Sequence, residues 1–169
     1  MKSLAAQGIT VDPEYFHNNG VGIVRNFASP AEVKAMMARM AALVEGWDPS
    51  ASVEFRTDRG QEGKQGSSNY FLDSAEAVHF FMDKGGLDLL KTGARETKAE
   101  CLNKVGHDLH SKDPVFAKYS TSPRVAALTR ALGWVDPVLP QSMYISSRLM
   151  AEMKSLRTRI PPSCTLNLD

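Results

Sequence analysis

Apolar residues recur along this chain at two spacings, and the switch between them marks out its elements. From Ser29 the spacing is helical. Val33, Met36, Met37, Met40, Leu43 and Val44 form an i, i+3, i+4, i+7 stripe that stops before Gly46. Ser29 supplies an N-cap, Pro30 suits the first turn, and Glu32 completes a capping box. Methionines at this spacing predict core packing rather than cofactor contacts. An earlier helix opens on Asp12-Pro13, carries Tyr15 and Phe16, and closes near Asn19-Gly20. Between the two, "VGIVRNF" alternates and predicts a strand with Val21, Ile23 and Arg25 on one face.

The segment from Trp47 to Ser68 is rich in Gly, Ser and charge, which predicts a long surface loop. Two short strands are expected next, Asn69–Leu72 and Val78–Asp83, joined by a turn. Lys84 to Thr97 carries turn residues and little pattern. Pro114 and Ser122-Pro123 mark new helix starts, and Gly133 ends the last helix with Arg130 in its final turn. "PVLPQSMYI" predicts a strand, which Pro140 places at an edge or a bulge. There is no internal repeat and no low-complexity tract. These elements make an α+β domain.

Composition narrows the function classes. The chain has 169 residues, 43% hydrophobic and 23% charged, as one globular domain with an ordinary core would. A net charge of +1 gives no overall attraction to nucleic acid or an anionic membrane. Tyr119, Phe80 and Phe81 would stack on bases, but no basic stripe interleaves with them. No apolar run approaches the length of a membrane span, and "MKSLAAQGITVDPEYF" has no apolar core of a secretory signal. The last residues form neither a peroxisomal tripeptide nor a lipidation box. Cys101 and Cys164 lie far apart without a CxxC partner, so reduced thiols and a cytoplasmic location are expected.

Candidate chemistry is sparse. His107 and His110 are three apart and on a helix would share a face, offering two nitrogens to a metal. A metal site needs a third or fourth ligand, and the spacing of Asp108 and Asp113 does not demand one. The pair is expected to serve helix ends and hydrogen bonds. Lys104, in "NKVGH", is either a solvated lysine or an anion-binding one for phosphate or carboxylate. No GxGxxG, P-loop, GxSxG or HExxH occurs.

Four stretches taken in order carry more than any one of them. "FHNNGVGIVRNFASPAEV", "SSNYFLDSAEAVHFFMDKG", "LNKVGHDLHSKDPVF" and "PVLPQSMYI" cover most of Tyr15 to Ile145. In that order and at those spacings, the chain resembles the N-terminal part of the phytanoyl-CoA dioxygenase family. The resemblance implies an α+β fold made of the N-terminal helices and first strands of a double-stranded β-helix (jelly-roll) oxygenase, incomplete in this chain. It implies Fe(II) held by two histidines and a carboxylate, with 2-oxoglutarate chelating the open positions. It also implies 2-oxoglutarate contacts from the lysine of "NKxGH" and the methionine of "QSMYI", which are Lys104 and Met143. The implied reaction is hydroxylation of a small organic or acyl substrate, with release of succinate and CO2.

The departure from the family pattern is as informative as the match. The family's next motif is His-x-Asp, which supplies two iron ligands, followed later by a second histidine and an arginine for 2-oxoglutarate. No His-x-Asp occurs in the 169 residues. Residues 1–145 are therefore expected to be the N-terminal part of such a domain, with no catalytic residue and no metal ligand of its own. Fe(II) and 2-oxoglutarate are expected in the full-length form, with its small-molecule substrate, and neither is expected to stay bound to this chain. Neither nucleic acid nor membrane is an expected partner, and the oligomeric state is not readable. A rival from another class is a non-catalytic binding or regulatory protein that reuses the front half of the fold.

Residues 146–169 depart from the family pattern as written, but in a slipped frame they read as its continuation. Back-translated and read one nucleotide earlier, Met150-Ala151 forces Gly and Met153-Lys154 forces Glu. Permitted codons elsewhere allow F-K-Q-A-x-G-G-D-E-V-T-A-H-Q-D from Ile145 onward, with a His-x-Asp in place. The slipped histidine spans the codons of Arg157 and Thr158, and the slipped aspartate those of Arg159 and Ile160. The tail is thus expected to be frame-slipped or mis-spliced, and disordered. The competing expectation is a short helix from Leu149 to Leu156, stopped by Pro161-Pro162.

Overall fold

A computed structural model describes residues 4–5, 9–56 and 68–146 of the chain. The tail read as frame-slipped lies outside the described residues from 147 onward, and so does the 57–67 part of the expected loop. The chain divides into two compact units, Met1–Gly46 with Asp108–Ser142, and Trp47–His107 with Met143–Asp169.

The first unit is helical, and its helices begin where the sequence places caps. Asp12 accepts a hydrogen bond from the Tyr15 N–H at 2.8 Å and starts the helix Pro13–Asn19, which Gly20 closes in the left-handed region. Ser29 and Glu32 form the expected reciprocal box at the head of Pro30–Glu45. Along that helix Met40 and Val44 are buried and Met36 and Leu43 partly so. Val33 and Met37 stand exposed, so only the second half of the apolar stripe reaches the core.

Three further helices, Leu109–Lys112, Pro114–Ser120 and Pro123–Ala131, belong to this unit. Asp113 caps the second of them through the N–H groups of Val115 and Phe116. Ile9, Met40, Val44, Leu109 and Phe116 form its apolar core. The expected strand at "VGIVRNF" is absent. Val21 and Ile23 are exposed, and Asn26 turns the chain at φ 56°. Alternation shows that a segment could be half buried, but a strand also needs a neighbour to bond, and none among the described residues pairs with this one.

The second unit is built on a four-stranded sheet in the order β1 (Val53–Glu54), β2 (Val78–Met82), β3 (Leu102–His107) and β4 (Ser142–Ile145). β1 runs parallel to β2 and β2 antiparallel to β3, with Phe81 opposite Lys104. Among the described residues β4 lies at the sheet edge, where Pro140 pointed, and just beyond it the Ser146 N–H donates to the Asn103 carbonyl at 3.0 Å. Phe81, Met82, Cys101, Leu102 and Val105 are buried in its core, and Cys101 is a free thiol.

Three stretches of this unit depart from expectation. Asn69–Leu72 is not a strand but part of a helix, Asn69–Asp73. Tyr70 and Phe71, adjacent in sequence, both pack on Phe81 with ring centroids 5.5 and 5.9 Å away. A strand would send neighbours to opposite faces, so helical backbone is what lets both reach one ring. Within the patternless stretch Lys84–Thr97 a helix runs from Gly86 to Lys91, started by Gly85 in the left-handed region. It is too short to show a period. The expected loop after Trp47 also carries structure. The Trp47 indole stacks on Phe80 at 5.1 Å, donates to Ser52 at 2.7 Å, and leads into a short turn at Pro49–Ala51 and then β1. No helix among the described residues is long and apolar enough to cross a membrane.

Candidate functional site

β3 carries "LNKVGH" and is buried along its whole length, which puts a lysine where apolar residues usually sit. Lys104 is only 8% exposed, so the solvated alternative is excluded. Its Nζ lies 3.1 Å from His107 Nε2 and 3.7 Å from Met143 Sδ. The ammonium also sits over the face of Phe55, 3.7 Å from the ring centroid, with Phe81 and Phe71 at 5.2 and 5.7 Å. The sheet brings these groups together: β3 supplies the lysine, β4 the methionine, β2 Phe81, and the residue after β1 Phe55.

Burial lowers the lysine pKa to about 8, so at neutral pH it remains mostly protonated. His107 closes the site from the end of β3. Its Nδ1 lies 2.7 Å from Ser74 Oγ, and its ring packs against Phe71 and Phe81 at 5.4 Å each. Burial, then the charges of Lys104 and His79, pull its pKa below the ordinary histidine value. Histidine nitrogen is thus the one strong acceptor the ammonium meets among the described residues. Its other neighbours are a thioether and aromatic faces, which are weak acceptors. A carboxylate or phosphate oxygen would outcompete both for those N–H bonds.

Lys104 and Met143, paired by the resemblance, are therefore in contact. The two histidines are not on one helical face. His107 ends β3, whereas His110 lies in the helix Leu109–Lys112, where its Nδ1 and backbone N–H both lie 2.9 Å from Ser142 Oγ. A strand followed directly by a new helix start breaks the periodicity on which that expectation rested. No group of three or more His, Cys, Asp or Glu among the described residues could hold a metal ion. With no His-x-Asp in the sequence, the described residues do not fit an iron centre.

Sequence reasoning missed Phe55, Phe71, Ser74 and the role of His107. Phe55 sat in the expected loop, and Phe71 in the expected strand. Residues three apart on a regular strand face opposite ways, so the spacing of Lys104 and His107 gave no hint of their contact. The available signal was "SSNYFLDSAEAVHFF", a stretch that carried the resemblance without any residue being assigned.

No family model matches the chain. Curated proteins do. It is 34% identical over 137 residues to "Phytanoyl-CoA dioxygenase domain-containing protein 1" of Danio rerio, covering 79% of this chain and 47% of that one. It is 36% identical over 135 residues to "Phytanoyl-CoA dioxygenase" of Arabidopsis thaliana, covering 78% and 45%. Against "Phytanoyl-CoA dioxygenase 1" of Oryza sativa subsp. japonica the identity is 35% over 161 residues, covering 89% and 54%. The chain spans about half the length of the curated relatives it matches. By sequence, this chain is similar to part of the length of proteins named phytanoyl-CoA dioxygenase.

Proposed function

We propose that this chain is the N-terminal part of a non-haem Fe(II)- and 2-oxoglutarate-dependent dioxygenase of jelly-roll fold, and that Lys104 and Met143 contact 2-oxoglutarate. One observation carries the proposal: a buried ammonium, pressed against Met143 and aromatic faces, weak acceptors from which a carboxylate would take over the N–H bonds. The likeness to proteins named as dioxygenases supplies the reaction class. In the full-length form the substrate is a small organic or acyl molecule that becomes hydroxylated, in the cytoplasm.

The part played by this chain's own residues is to hold the co-substrate. Lys104 neutralises one carboxylate, Met143 packs along it, and the rings of Phe55, Phe71 and Phe81 exclude water and strengthen the charge contact. Iron ligands would have to come from residues this sequence lacks, such as the His-x-Asp of the slipped frame. On this proposal purified 1–169 supplied with Fe(II), 2-oxoglutarate and a reductant releases no succinate. Measurable 2-oxoglutarate-dependent succinate formation would refute it. Sequencing the transcript across the codons for Met143 to Asp169 tests the slipped tail separately, since bases that exclude His-Gln-Asp make the tail genuine.

A further inference from the structure

We infer that His107 is a positioning residue for Lys104, locked by Ser74 as the neutral Nδ1–H tautomer so that its Nε2 lone pair aims the ammonium. The hydrogen-bond directions follow from a single proton. Ser74 Oγ lies 2.5 Å from the Phe71 carbonyl oxygen, which can only accept, so the hydroxyl hydrogen is spent there. Ser74 is fully buried. At 2.7 Å its oxygen can then only accept from His107, which requires hydrogen on Nδ1. In a neutral ring Nε2 is left as an acceptor, 3.1 Å from Lys104 Nζ, and the lysine donates to it.

Protonation of the ring would set an Nε2–H against an ammonium, donor against donor and charge against charge. That arrangement is unfavourable, and the proton of the pair sits on the lysine. The chain of bonds thus runs from Lys104 through His107 and Ser74 to the Phe71 carbonyl. It spans β3 and the two short helical segments Asn69–Asp73 and Ser74–Glu76. Its effect is to fix one N–H of the ammonium on histidine. The other two keep the orientation in which they meet Met143 and Phe55, the side from which a carboxylate would displace weak acceptors.

The role of His107 toward a ligand rests on the proposed 2-oxoglutarate contact, whereas the bond directions do not, and the test separates them. The full chain is labelled with 15N-histidine, and the His107 imidazole is identified using His17→Gln, His79→Gln and His110→Gln variants. The expected spectrum shows His107 protonated at Nδ1 and bare at Nε2 near pH 7.5, and Ser74→Ala loses that fixed tautomer. 2-Oxoglutarate titrations follow. Ser74→Ala and His107→Phe are expected to weaken binding by about tenfold, the loss of one oriented charge-assisted bond. His107→Gln, which retains an acceptor for Lys104 and a donor for Ser74, is expected to recover most of it.

An Nε2–H tautomer in the wild-type chain overturns the inference whether or not any variant folds. Unchanged affinity in folded His107→Phe also overturns it. The Nδ1–H tautomer with no 2-oxoglutarate binding by the wild-type chain supports the lock and refutes only the co-substrate proposal.

Discussion

The Arg39 guanidinium reaches across 74 positions of sequence to hold the Asp113 carboxylate at 2.6 Å, while the same carboxylate caps the helix that follows it. One side chain thereby ties the Pro30–Glu45 helix to the head of Pro114–Ser120. Asp113 is almost fully buried, so its removal leaves two helix N–H groups and a guanidinium without their acceptor. Asp113→Ala is expected to lose about 2–3 kcal/mol of stability, the sum of a cap and a charge-assisted bond. Chemical denaturation against wild type measures it, and a loss within about 0.5 kcal/mol would place the link among surface pairs of little worth.

Acid should undo the first unit in a defined window. The hydrogen bond from Arg124, then those from the Ser29 backbone and side chain, lower the Glu32 pKa from 4.5 to about 2. Arg124 reaches both carboxylate oxygens at 2.8 Å. For a carboxylate whose folded pKa is depressed, the stabilising contribution is complete above the unfolded value and fades as pH falls toward the folded one. Thermal melts between pH 5 and 2 should therefore show wild type losing Tm more steeply than Glu32→Gln below about pH 4.5. Parallel curves would show that the pair contributes nothing.

The sheet site should leave its signature at the alkaline end. Lys104 is buried without a carboxylate partner among the described residues, and burial lowers its pKa from 10.5 to about 8. Between those values the unfolded chain binds more protons than the folded one, so stability rises with pH across that range and is lowest below it. The rise should be on the order of 3 kcal/mol, and Lys104→Met should abolish it while stabilising the chain near neutrality. A stability profile over pH 7.5 to 10.5 that is the same in both proteins would contradict the buried, cationic lysine.

What could be read from the sequence was what depends on neighbours in the chain. Asp12, Ser29 and Ser122 each precede a proline and a short-range acceptor geometry, and each starts a helix as expected. Elements that depend on distant partners were misread. Val21 and Ile23 alternate but lack a strand to pair with, and Tyr70 and Phe71 have strong β propensity but fold as helix to reach Phe81 together. The same division runs through the site. Lys104 and Met143 were named because short motifs around them resemble a family's, and the fold sets their side chains 3.7 Å apart. Ser74 and Phe55 carry no local signal, since their roles arise only when the strands align.

The central claim is that Lys104 and Met143 form one half of a co-substrate contact. The most direct measurement follows the Met143 methyl signal in 13C-methyl-methionine-labelled full chain while 2-oxoglutarate is added, with Lys104→Met in parallel. The predicted result is a saturable shift with affinity on the order of millimolar, as suits a single-lysine contact, and its loss in the variant. A Met143 signal that stays still in the folded chain, or that moves equally without Lys104, would contradict the claim.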